Sequence, residues 1–156
     1  MAEDKANVAG ILNLHWVFLA EKQGLKSMGP AVKFIGPYQA DGVFVLRSWA
    51  KTNGRVLVKY LQALIEGTRW AMDPKNKAEA TAMLVDHLKI DQDIAAQSLP
   101  AAVGKGGGMF KDARFDMHGF KNVLKLRAEF GDTGKAPGKP ETYVDLSYYR
   151  RAHKGI

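Results

Sequence analysis

The residues most able to do chemistry are few, and they do not gather. The four histidines, His15, His87, His118 and His153, never pair at a metal-ligand spacing such as H-x3-H. No serine lies in a G-x-S-x-G elbow. Asp41, Glu66, Asp86 and Glu129 stand apart in sequence, so no acid–base carboxylate pair follows from spacing. The glycine-rich stretch Gly104-Lys-Gly-Gly-Gly108 lacks the Gly-Lys-Ser/Thr of a phosphate loop, and Met109 occupies the last glycine of a dinucleotide fingerprint. It reads as a connector between helices. The residue types therefore point to no enzyme, no metal and no cofactor.

Two places fit binding better than catalysis. Asn13-Leu14-His15-Trp16 follows an apolar run and opens a helical one. An asparagine there offers donors and an acceptor, a tryptophan offers a flat wall, and the amides of a helix start favour an anion. The plain alternative is a capping Asn13 and a core Trp16. Pro37-Tyr38-Gln39-Ala40-Asp41-Gly42 is an aromatic and polar segment that could turn Tyr38 and Gln39 toward a cleft, or simply lead into a strand. The ligand-binding candidates are thus Asn13, His15, Trp16, Tyr38 and Gln39.

The elements that must position these residues read as α/β. Strands are expected over about 7–13, 25–28 and 42–48, the last from the branched and aromatic run Gly42-Val-Phe-Val-Leu46. Four or five helices follow. Leu57, Leu61, Leu64, Ile65 and Thr68 mark one helical face. Thr81, Leu84, Val85 and Leu88 mark a second, over 75–89. Asp91 suits an N-cap for 92–103, which Pro100 should kink or shorten, and Asp116 suits one for a helix to Phe130. Residues 131–140 read as a solvated linker and 141–153 as one last helix.

Composition limits the function classes. The 156 residues are 46% hydrophobic and 25% charged, enough apolar material for a core and against disorder. There is no cysteine, hence no disulfide or thiolate chemistry. The net charge of +7 suggests an anionic partner, yet the basic residues are scattered apart from Arg150, Arg151, His153 and Lys154. No nucleic-acid motif accompanies them, so nucleic acid is not an expected partner. No run approaches the roughly 20 apolar residues of a membrane span, and Met1 to Lys5 do not begin a signal peptide. Taken literally, the chain starts in the cytoplasm.

The order of these segments resembles the C-terminal half of periplasmic solute-binding proteins of ABC importers, in the nitrate/sulfonate/taurine and thiamine-precursor-like branch. The residues that carry the likeness are AGILNLHWVFLAEKQGLKSMG, GPYQADGVFVLRSWAKTN, VLVKYLQALIEGTRWAMDPKNKAEATAMLVDHL and the ending FKNVLKLRAEFG…YVDLSYYRRA, which together span about residues 6–153. The resemblance implies a partial type 2 periplasmic-binding fold. Residues 1–29 would end the second lobe, 30–41 would be a crossing hinge, and 42–156 would be the mostly helical end of the first lobe. It implies a small solute held in a cleft, an ABC permease as partner and a periplasmic location. Where many relatives carry proline after the strand-end Asn, this chain has Leu14-His15.

The family chain is about twice as long and carries a signal peptide, so the expectation is a truncated solute-binding protein or a remnant of one. It should expose an apolar surface over 42–65 and could self-associate there. The alternative is a non-enzymatic interaction module that reuses the same fragment.

Overall fold

The computed structural model describes residues 9–104, 108–131 and 136–156. Within them the chain is helical: α1 Leu14–Lys22, α2 Val32–Ile35, α3 Arg47–Thr52, α4 Gly54–Met72, α5 Lys77–Leu88, α6 Gln92–Val103, α7 Met117–Phe130, α8 Pro140–Tyr143 and α9 Ser147–Lys154. Short 3-10 turns occupy Pro74–Asn76 and Lys111–Ala113. The chain divides into two compact units, Met1–Ala31 with Ala71–Met109, and Val32–Trp70 with Phe110–Ile156.

The expected α/β fold is overturned, because the described residues contain no strand. Of the expected strand 7–13, residues 7 and 8 lie outside the described residues and 9–13 have no regular structure. The same holds for 25–28 and for 42–46, while Arg47 and Ser48 open α3 instead of ending a strand. The physical reason is pairing. A β pattern records side chains suited to a sheet, but a strand exists only when a neighbour takes its backbone N–H and C=O groups. Among the described residues, the backbone–backbone bonds of 42–46 reduce to Leu46 C=O accepting from Ala50 N–H, a helix-opening bond. The partial type 2 periplasmic-binding architecture, which requires those strands, fails for the same reason.

The first unit is built on α1, α5 and α6, with α6 packed against both α1 and α5. Its buried residues are mostly small: Ala80, Thr81, Ala95 and Ser98, beside Ile94 and Leu99. Small side chains let helix backbones approach closely. Thr81 Oγ1 donates to Lys77 C=O at 2.8 Å and Ser98 Oγ to Ile94 C=O at 2.7 Å, so neither hydroxyl is buried unpaired. Pro100 neither ends nor shortens α6. It sits on the exposed side, and the helix runs on to Val103. Asp91 takes the N-cap position of α6 but turns its carboxylate to Lys22 of α1, at 3.1 Å.

The second unit is built on α4. Leu57, Ile65 and Thr68 are buried along one face as the periodicity requires, and Leu64 lies at its exposed edge. α9 meets α4 through side chains, with Tyr148 against the first turn at Gly54 and Gln62 beside Gly155, and its Ala152 is fully buried. The expected last helix is broken in two. Asp145 Oδ1 accepts from Ser147 N–H at 2.9 Å and starts α9 afresh after α8. Asp116 caps α7 as expected, accepting from His118 N–H at 3.2 Å. Residues 105–107 of the glycine-rich connector and 132–135 of the linker lie outside the described residues.

Candidate functional site

In the first unit, Asn13 stands at the N-cap of α1 with extended backbone, and its C=O accepts from Val17 N–H at 3.2 Å. Its side chain makes no capping bond and is exposed, so the amide is open to an outside partner. His15 and Trp16 follow in the first turn, their ring centroids 5.0 Å apart and tilted by 40°. Trp16 is 55% exposed, so it is a surface ring and not a core residue. No acidic residue occupies this first turn, which leaves its amide dipoles unopposed. The corner can donate to an anion or a polar head and stack a flat or alkyl group.

Tyr38 and Gln39 belong to the second unit. The Gln39 amide is engaged at both ends. Its Oε1 accepts from Asp116 N–H at 2.7 Å and its Nε2 donates to Asp41 C=O at 2.5 Å. Asn122 of α7 adds a second clip, donating to Ile35 C=O at 2.6 Å and to Pro37 C=O at 2.8 Å. Gly119 makes the contact possible. A Cβ there would lie 2.9 Å from Gln39 N and 3.1 Å from the Tyr38 carbonyl carbon. Segment 35–41 is thus fastened along α7, with the Tyr38 ring left about half exposed.

A polar cluster in the second unit has no sequence signature. Asp112 Oδ1 receives Arg69 Nε at 2.7 Å, and Oδ2 lies 3.2 Å from His153 Nε2. Tyr149 O–H donates to Asp112 C=O at 2.9 Å and its ring stacks on His153. The hydrogen bond from Arg69, then that from His153, holds the Asp112 carboxyl below the ordinary carboxylate range. Burial, then the nearby Asp112 charge, pushes the Tyr149 phenol up. Asp112 and Ala113 both carry left-handed backbone, φ 61° and 49°, a conformation that costs alanine roughly 1–2 kcal/mol. Every polar group of the cluster serves to hold that turn against α4 and α9. The four residues come from three elements, and only the i, i+4 spacing of Tyr149 and His153 hints at them.

A shallow recess of about 480 Å³ beside the start of α4 is lined by Lys51, Asn53, Arg55 and Arg151 among others, with no carboxylate. Among the described residues no three His, Asp or Glu side chains converge on a metal position, and no helix is long and apolar enough to cross a membrane. Comparison of the chain with family models, with curated proteins and with solved structures gave no match.

Proposed function

We propose that this chain is the solute-binding component of an ABC-type importer, or a portion of one, and acts without catalysis. The class comes from the sequence resemblance over about residues 6–153 alone, since the strands it implied are absent from the described residues. The observation that carries the reading is the Asn13–Trp16 corner: an amide unengaged among the described residues, an exposed indole and an unopposed helix start in one turn. Nitrate, a sulfonate such as taurine, or a pyrimidine-like compound suits that set. The Asn13 amide and the α1 amides take the charged or polar head. The Trp16 ring and its tilted His15 neighbour take the apolar or flat part. His15 sets a second ring carrying polar nitrogens beside the Trp16 indole. Delivery to an ABC permease would be the purpose of capture.

An open wall affords little affinity, since small-ligand sites typically enclose about 70–90% of the ligand surface. Binding by this chain alone is therefore expected in the millimolar range, tight only when a second wall closes over the corner. The test is a thermal-shift titration with nitrate, taurine, an alkanesulfonate and an aminopyrimidine. One of these raises the melting temperature saturably through linkage, and Asn13→Ala and Trp16→Ala abolish the rise. No saturable rise with any of the four, or a rise indifferent to both substitutions, rejects the reading.

A further inference from the structure

The segment Asp41-Gly-Val-Phe-Val-Leu-Arg47 goes beyond the solute site, which lies in the other unit. Its side chains are displayed to solvent on both faces: Phe44 is 95% exposed, Leu46 76%, Val43 47% and Val45 42%. Side chains of this kind on both faces suit a strand covered on both sides. Among the described residues, Val43, Phe44 and Val45 form no backbone–backbone hydrogen bond. This is an open row of donors and acceptors, the condition under which a strand recruits another chain.

The row is also self-complementary. Laid antiparallel against itself about Phe44, it sets Val43 opposite Val45, Phe44 opposite Phe44, and Asp41 opposite Arg47 at both ends. Laid parallel and in register, it sets Asp41 against Asp41 and Arg47 against Arg47, which repel. The Asp41 carboxylate takes part in no ion pair among the described residues, and Arg47 spends one nitrogen on Thr142 C=O at 2.6 Å, leaving other guanidinium donors.

We propose that two copies of this chain associate through 41–47 as an antiparallel pair with a two-fold axis at Phe44. Val43 and Val45 exchange N–H···O=C bonds with Val45 and Val43 of the second copy, four bonds in all, using only groups that form no such bond among the described residues. Leu46 C=O, already held by Ala50 N–H, is not needed. Phe44 then falls at a non-hydrogen-bonded position, where facing Cα atoms are about 4.5 Å apart and the two rings can meet. The interface is isologous and closes at two copies. The Asp41–Arg47 pairs set its direction.

Sedimentation equilibrium of the full chain over a wide concentration range tests this. The expected result is a reversible monomer–dimer equilibrium. Val45→Pro removes two of the four bonds and Phe44→Asp places two carboxylates on the axis. Each yields monomer with the helical circular dichroism retained. Asp41→Arg weakens the dimer roughly tenfold, since two attractive cross-strand pairs become repulsive. Mixing it with Arg47→Asp restores a heterodimer. If Arg47→Asp fails to fold without its Thr142 bond, the other three variants decide. A wild-type chain that stays monomeric, forms open-ended oligomers, or dimerises as well with Val45→Pro overturns the proposal. The solute titration repeated on Phe44→Asp keeps the two readings separate, because the corner at Asn13 is untouched by that change.

Discussion

The two units hold themselves together by different means. In the first, α5 and α6 are neighbours in sequence, and their contact is made of small and aliphatic side chains around Ile94. In the second, pieces far apart in the chain are joined by single polar bonds: Gln39 to Asp116, Asn122 to Ile35 and Pro37, Arg47 to Thr142, and Arg69 and Tyr149 to Asp112. Packing distributes its contribution over many weak contacts, whereas a polar clip concentrates it in one donor and one acceptor. The lesson is that substitutions in the first unit should matter by volume, and those in the second by hydrogen-bond chemistry as well.

The largest effects belong to the two fully buried isoleucines. Ile94→Ala and Ile65→Ala should each cost about 2–5 kcal/mol, for lost transfer and the cavity left behind. Hydrogen exchange sharpens the comparison. Protection should fall mainly in α5 and α6 for the first variant, and in α4 and α9 for the second. Equal loss throughout from either variant would break the contrast between the units. Next comes Gly119→Ala. Alanine normally favours a helix interior by roughly 0.5–1 kcal/mol over glycine. Here the new methyl meets the Tyr38–Gln39 backbone at about 3 Å, so the net should be a loss of about 1–3 kcal/mol, read by thermal melting. A gain in melting temperature would mean that segment 35–41 does not lie on α7 in solution.

The longer helices of both units were legible because a 3.6-residue period survives without any partner being known, whereas the short α2 and α3 were read as hinge and strand. Leu57, Ile65 and Thr68 announce the inward face of α4, and Asp116 announces its cap by residue type alone. The break between α8 and α9 was hidden because Asp145 acts through one side-chain bond to Ser147, which periodicity does not register. The strands failed for the opposite reason: Gly42 to Leu46 has every side-chain preference for a sheet, but pairing is a property of two segments and a sequence segment states only one. At the candidate site the corner was visible as Asn13, His15 and Trp16, whose neighbourhood is local. Gln39 was visible as a polar residue near a turn, yet its engagement with Asp116, 77 positions away, was not. The Asp112 cluster was invisible for the same reason of distance along the chain.

The polar clips give the second unit a pH signature. Asp112 titrates below its unfolded value near 3.9, so its contribution is present above that value and is lost as pH falls through the lower folded one. Tyr149 titrates above its unfolded value near 10, so its contribution is present below that value and is lost as pH rises through the higher folded one. Asp112→Asn should therefore flatten the acid limb of a stability–pH curve below about pH 4. Tyr149→Phe should flatten the alkaline limb and remove roughly 0.5–1.5 kcal/mol at neutral pH with the bond to Asp112 C=O. Limbs unchanged in both variants would show that the cluster does not bear on stability.

The smallest effect tests the first unit by the same chemistry. Lys22 Nζ lies 3.1 Å from Asp91 and 3.0 Å from Asp93, a long-range ion pair that looks like the clips of the second unit. The difference is exposure. The Lys22 and Asp93 side chains are each about half exposed and Asp91 is more so, whereas the Asp112 side chain is 21% exposed. The hydrogen bond with Asp93 raises the Lys22 ammonium and lowers the Asp93 carboxyl, but water and salt screen both charges. Lys22→Met keeps an apolar stem of similar length and deletes the charge. It should leave the thermal midpoint unchanged within error at physiological salt, with a small loss emerging only at low ionic strength. A large loss at high salt would place the first unit under the same rule as the second, and the distinction between packing and clipping would fall.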